Sequence, residues 1–297
     1  MRHLLAALML AGTAHAAPVE RFFDDFSHAD PAALQAAGWT PRSKAGHPGV
    51  AGASWSAAGL QLLADPVDKT NRLLRLTARS DGTPAGTQQV QLCHQRKVLE
   101  GTYAARIRFS DTPVSGIDGD PIIQTFYAVS PLQHDFDPTF SEFDWEYLPN
   151  GGWGDPKTRL YGITWQTVRL DPWEAHNQAH QEFRSMAGWH TLMLQVKDGK
   201  TRHWIDGQPV AQHGGRNYPV VPMSLNFNHW FSPGGLLPVS QMPRSYEQDV
   251  DWVLHVKDQL LTPAQVDKLV EDLRGNGQTA TDTVPPGTPP LPSTCDF

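Results

Sequence analysis

The sequence predicts an all-β fold, a β-sandwich or jelly roll of two antiparallel sheets, with one C-terminal helix and an extended tail. Three observations carry this expectation. The dominant hydrophobic period is two: Leu74, Leu76 and Ala78 alternate with Arg75, Thr77 and Arg79, and Tyr103, Ala105, Ile107 and Phe109 alternate with Ala104, Arg106 and Arg108. That is the pattern of strands with one buried face. The dipeptides Asp198-Gly199 and Asp206-Gly207 favour tight hairpins, because residues of these types tolerate the positive φ that such turns need. Helical periodicity is confined to one stretch near the C-terminus.

In chain order, the first segment is Met1-Arg2-His3, then the apolar run Leu4 to Ala11, then Ala14-His15-Ala16. A basic start, an apolar centre and a small-x-small end read as a secretory leader over residues 1–16. The mature chain would begin at Ala17 and be secreted or periplasmic. The run is too short to span a bilayer, and no later one is long enough. Further strand candidates are Ile122 to Val129, Glu142 to Leu148, Arg159 to Gln166, Thr191 to Lys197, Met223 to Trp230 and Val250 to Val256. Short strands separated by Gly and Pro belong to a sandwich or jelly roll, and one catalytic domain is expected over residues 17–275.

Thr262 supplies a helix N-cap and Pro263 the first helical position, and Val266, Leu269, Val270 and Leu273 recur at helical spacing before Gly275. This helix is expected to pack on the outside of the sandwich. Residues 276–297 are a Pro-rich tail, with Pro285-Pro286, Pro289-Pro290 and Pro292 among Thr, Gly and Ser. Such a composition buries little apolar area and predicts an extended or disordered segment.

The formal net charge is −7, and losing Arg2 with the leader takes it from −7 to −8. This argues against a nucleic-acid ligand or an anionic membrane surface, and it disfavours polyanionic glycans. The expected partner is a polysaccharide, and the chain is expected to act as a monomer. Cys93 and Cys295 are the two cysteines; they are compatible with one disulfide in an oxidising compartment and equally with two free thiols.

The chemistry is concentrated in Glu142-Phe143-Asp144-Trp145-Glu146. A strand displays Glu142, Asp144 and Glu146 as a row on one face. Like charges so placed raise one another's proton affinity, so the row can hold a carboxylate and a protonated acid together near neutral pH. Glycoside hydrolysis with retained configuration needs that pair at a carboxyl separation of ~5–5.5 Å. Cα atoms four apart on a strand stand ~13 Å apart, so side-chain lean and twist must close the gap between Glu142 and Glu146. Asp144 lies between them, placed to hydrogen-bond the nucleophile and share its proton. As the solvated edge of an amphipathic strand, the row would be costly, since Asp and Glu are poor strand formers and three on one face repel.

Glu-x-Asp-x-Glu followed by an aromatic resembles the active-site strand of family 16 glycoside hydrolases. The resemblance implies Glu142 as nucleophile, Asp144 as its assistant and Glu146 as general acid/base. The uninterrupted spacing implies the lichenase, xyloglucan-transferase and carrageenase side of that family, because the laminarinase version carries an inserted residue. Further matches run in order over about residues 98 to 257: Gly101 to Arg106, Trp189-His190-Thr191, His203-Trp204-Ile205-Asp206-Gly207, Asn228-His229-Trp230 and Val250-Asp251-Trp252-Val253. The first eighty mature residues match loosely, and the C-terminal helix and tail fall outside the pattern.

Candidate substrate-binding residues are Phe140, Trp153, Trp165, Asn228 and Trp230. Phe140 stands where the family commonly has Trp or His, and strand parity would put it on the face of Glu142, where a ring can stack on a sugar. Asn228 and Trp230 share a strand face, and Trp153 follows Asn150-Gly151-Gly152 in a loop, where aromatics often serve binding. Trp165 is a candidate for the cleft wall. Of the other tryptophans, Trp145 faces away from the acids into the core, and Trp204 and Trp252 read as packing residues.

No metal or cofactor is expected in the chemistry. His176 and His180 have i, i+4 spacing, yet no Glu lies between them and no third ligand is apparent. Asp135 and Asp137 lack the Gly and terminal Glu of a calcium loop; the family resemblance allows a structural calcium on the outer sheet without a visible signature. No Gly-x-Ser-x-Gly elbow is present. The expected function is a secreted, retaining, endo-acting hydrolase of a β-linked polysaccharide, a β-1,3/1,4-glucan first. Its rivals are a lectin-like binding protein, a transglycosylase on the same site, and a polysaccharide lyase whose uronate substrate an acidic cleft would repel.

Overall fold

A computed structural model describes residues 19–291 and Cys295, so the leader expected over residues 1–16 lies outside the described residues. The strands are β1 (Arg21–Asp24), β2 (Thr40–Pro41), β3 (Ser54–Trp55), β4 (Leu60–Ala64), β5 (Arg72–Ser80), β6 (Gln88–Cys93), β7 (Gly101–Phe109), β8 (Ile122–Val129) and β9 (Glu142–Leu148). They continue as β10 (Arg159–Arg169), β11 (Glu174–Glu182), β12 (Gly188–Lys197), β13 (Lys200–Ile205), β14 (Gln208–Gly214), β15 (Ser224–Phe231), β16 (Arg244–Lys257) and β17 (Ala280–Asp282). Two α-helices, α1 (Pro31–Ala36) and α2 (Pro263–Gly275), flank them.

The strands form the two layers of a jelly roll. The inner sheet runs β11-β10-β9-β8-β15-β6-β2, every pair antiparallel. The outer sheet runs β4-β5-β16-β7-β12-β13-β14, and β1 joins the C-terminal half of β16 and carries β17 on its far side. The turns at Asp198-Gly199 and Asp206-Gly207 have positive φ at both residues, which is the mirror-image geometry that matches strand twist.

The core lies between the sheets, and the alternation in β9 decides what enters it. Phe143, Trp145 and Tyr147 are fully buried. Phe143 meets Tyr103 of β7 edge-on at 4.8 Å between ring centroids, Tyr147 meets Phe109 at 5.0 Å, and Trp145 meets His203 at 5.4 Å. With these three rings fixed, parity puts Glu142, Asp144 and Glu146 on the opposite, concave face.

Helix α2 forms where predicted, with a capping box between Thr262 and Gln265. Val266, Val270 and Leu273 pack with Trp252 and Leu254 in a second cluster on the outer sheet, with Trp204 at its margin. Helix α1 and strands β1 to β4, β6, β11 and β17 are additional to the sequence expectation. Strand β11 (Glu-Ala-His-Asn-Gln-Ala-His-Gln-Glu) has no buried residue, so it carries no apolar alternation to read.

The tail is extended, as its composition predicts, yet it is tied to the body. β17 pairs with β1, Val284 is buried in the main core, and Lys97 Nζ donates to Asp282 Oδ2 at 2.6 Å and to the Val284 carbonyl at 2.8 Å. A Cys93–Cys295 disulfide with Cα atoms 5.5 Å apart joins residues 202 positions apart in the chain. Residues 280–284 are therefore part of the folded body. A cross-link that long restricts the unfolded chain strongly, and disulfides typically contribute about 2–4 kcal/mol. Cys295→Ser should lower the melting temperature by on the order of 5–10 °C for a chain this size, read by calorimetry without reductant. The wild type in reductant should show the same loss.

Candidate active site

The concave face of the inner sheet carries a cleft of about 700 Å³. Its floor is set by register: Glu142, Asp144 and Glu146 stand opposite Val129, Tyr127 and Thr125 of β8 and opposite Trp165, Ile163 and Tyr161 of β10. All three acids line the cleft, together with Tyr127, Trp165, Asn228 and Trp230. Glu142 and Asp144 are 7% and 4% exposed, while Glu146 is the more open of the three.

Burial shapes the protonation of the row. The Glu142 carboxyl is pushed well above its ordinary value, first by removal from water and then by Asp144 and Glu146. Asp144 is raised to about 7 by burial, against the hydrogen bonds it takes from Trp165 and Glu142. Glu146 is raised well above its ordinary value, by burial first and by the Asp144 charge second. The three carboxyls titrate as one unit, and that unit keeps a proton near neutrality. A carboxylate and a carboxylic acid thus coexist on one strand.

The predicted binding residues separate into four that meet at the cleft and one that does not. Trp165 lines it and its indole N–H donates to Asp144 Oδ2. Asn228 accepts from Thr125 Oγ1 and donates through Nδ2 to the Tyr127 hydroxyl at 3.2 Å. Trp153, 53% exposed, is held by its backbone N–H to Ser232 Oγ at 2.8 Å and stands edge-on to Trp230 at 6.0 Å. Phe140 is the exception: it is 2% exposed and does not line the cleft. β9 begins at Glu142, and the Phe140 N–H closes a turn onto the Asp137 carbonyl at 3.2 Å, so strand parity does not reach back to Phe140.

Several cleft residues were not identified from the sequence. The Tyr127 hydroxyl accepts from Gln91 Nε2 at 2.8 Å as well as from Asn228, and its phenol is held well above its ordinary value by burial and by the Glu142 charge. It is therefore a neutral donor beside the acids. Tyr161, Trp173 and His47 also line the cleft. Tyr127 and Tyr161 could be found only by knowing the register of β8 and β10 against β9, which a single sequence does not supply.

The described residues contain no group of three or more His, Cys, Asp or Glu side chains arranged to bind a metal. His176 and His180 lie on the extended β11, where four residues span ~13 Å, and each contacts a neighbouring carboxylate, Glu174 at 3.3 Å and Glu182 at 2.8 Å. Asp137 spends its carboxylate on the backbone N–H groups of Thr139 and Gln133. These donor sets do not fit a calcium or zinc ion.

Trp165 offers a test of the proton balance. Its N–H stabilises ionised Asp144, so Trp165→Phe removes a force that lowers Asp144, and Asp144 holds its proton to higher pH. The acid limb of the kcat/KM profile should move upward. An unmoved limb would separate Trp165 from the proton balance of the row.

No family model and no curated protein matches the chain. Solved structures do. A Bacillus licheniformis β-glucanase shares 14% identity over 80% of this chain and 98% of its own, with a TM-score of 0.57. A family 16 endo-glucanase from Bacteroides ovatus shares 16% over 78% and 98%, with a TM-score of 0.58. A laminarinase from a Flavobacterium species shares 14% over 79% and 98%, with a TM-score of 0.54. At such identities the likeness is one of architecture: the chain has the jelly-roll fold of the family 16 glycoside hydrolases.

Proposed function

We propose that the protein is a retaining glycoside hydrolase of a β-linked polysaccharide, a β-1,3/1,4-glucan first, with Glu142 as nucleophile, Asp144 as its proton-sharing partner and Glu146 as general acid/base. The observation that carries this reading is the row of three carboxyls, all raised in proton affinity, on the floor of an aromatic-walled cleft. Binding alone needs no such row. The leader-like residues 1–16 support secretion, and the glucanase neighbours support the choice of polymer.

Two displacements complete the reaction. Glu146 protonates the leaving glycosidic oxygen while Glu142 attacks the anomeric carbon; Glu146, now a base, takes a proton from the water that releases the sugar from Glu142. Trp153 and Trp230 offer apolar ring area to pyranose C–H faces. The test is oligosaccharide release from mixed-linkage glucan, β-1,3-glucan, xyloglucan, agar and carrageenan, wild type beside Glu142→Gln. Release from a β-glucan that disappears in the variant supports the reading; binding without cleavage by either protein contradicts it.

A further inference from the structure

Residues 42–50 form a strap whose two feet stand on β6 and whose apex meets the far wall of the cleft. At the first foot the Arg42 backbone N–H donates to the Gln91 carbonyl at 3.0 Å, and Arg42 Nη1 donates to Gln91 Oε1 at 3.1 Å. At the second, the Val50 N–H donates to Gln89 Oε1 at 3.2 Å. Gly49 lies against the Gln89 side-chain amide with a φ of 111°, a backbone conformation that favours glycine.

Arg42 then braces the strap from within. Its Nε donates to the Lys44 carbonyl at 2.9 Å and its Nη2 to the His47 carbonyl at 3.0 Å. The same guanidinium lies 4.2 Å over the ring of Trp55, and Trp55 Nε1 donates to the Gly46 carbonyl at 3.3 Å.

His47, at the apex, stacks on Trp173 with ring centroids 5.6 Å apart and planes 27° apart. Trp173 belongs to the turn between β10 and β11, and it is edge-on to Trp165 at 6.1 Å. Strands β15, β8 and β9 lie between β6 and β10, which is four steps of about 4.8 Å across the sheet. The contact therefore crosses the concave face that bears the acids, and His47, Pro48 and Gly49 line the same cleft as Glu142 and Glu146.

Building on the hydrolase reading above, we infer that the His47–Trp173 contact closes a strap over the cleft, so that a polysaccharide enters end-first beneath it instead of landing sideways along its length. A chain interior has no end to pass under the strap, whereas a terminal segment does. The expectation of endo attack is thereby narrowed to cleavage near chain ends.

The test follows viscosity and reducing ends together on soluble mixed-linkage β-glucan, for the wild type and for the double variant His47→Ala/Trp173→Ala. The wild type should generate reducing ends with little loss of viscosity, and the double variant should lose several-fold more viscosity per end formed. A wild type that thins the polymer as fast as the variant, end for end, overturns the inference.

A binding arm is independent of turnover. With Glu142→Gln, tryptophan fluorescence should report binding of a linear β-glucan oligosaccharide and much weaker binding of a cyclic one of similar size. Equal binding of the two overturns the strap. Preference for the linear ligand in a protein that cleaves no glucan leaves the strap standing and sinks the hydrolase reading. Binding of neither ligand overturns both.

Discussion

Glu142→Gln is expected to lower kcat by at least about a thousandfold, in line with the removal of a covalent nucleophile. The amide keeps the shape of the side chain and cannot attack an anomeric carbon. The same change should leave the fold intact and make it more stable at neutral pH, and the sign follows from the row itself. Glu142 and Asp144 hold protons more tightly in the folded protein than in the unfolded chain, so the folded state binds more protons and stability falls as pH rises. For Asp144, that loss spans the interval from its ordinary 3.8 to about 7. Glu142→Gln removes a carboxyl that ionises in the unfolded chain but is held protonated by burial in the folded one, so its melting temperature should exceed that of the wild type above pH 6 and approach it near pH 4. A full-rate variant would remove Glu142 from the chemistry; a less stable one would contradict the electrostatic account of the row.

Glu146→Ala should lower turnover by about 10²–10⁴, the usual contribution of a positioned acid or base. Added azide should restore part of the rate on an aryl glycoside whose leaving group needs no proton. Azide is small enough to occupy the space of the lost side chain and attacks the glycosyl-enzyme without a base, giving a β-glycosyl azide. The loss should be much smaller on that substrate than on a glucan, because only the second step still lacks help. Absence of azide product, with a pH profile like that of the wild type, would show that Glu146 does not transfer the proton.

What the sequence makes legible here is whatever rests on period and local chemistry. β5, β7 and β9 bury the residues that alternation selects, α2 starts at its Thr262 cap, and both Asp-Gly turns form. The row of acids was readable because parity in one strand fixes three side chains at once. Information that passes between strands was hidden. Tyr127 and Tyr161 reach the acids through the register of β8 and β10, and β11 forms from polar residues because its partner β10 supplies the ladder. Phe140 illustrates the reverse: the strand whose parity would place it begins two residues later, at Glu142. The strap was also beyond reach, since the His47–Trp173 contact joins residues more than a hundred positions apart.

The most direct test of the central claim is intact-mass and peptide mapping after incubation with a 2-deoxy-2-fluoro β-glucosyl oligosaccharide bearing an aryl leaving group. Fluorine at C2 slows both displacements, and the good leaving group restores the first, so the glycosyl-enzyme accumulates. The account predicts one added glycosyl mass, carried by the peptide that contains Glu142. An adduct on another residue, or hydrolysis of a β-glucan to an α-configured product with no adduct, would contradict it.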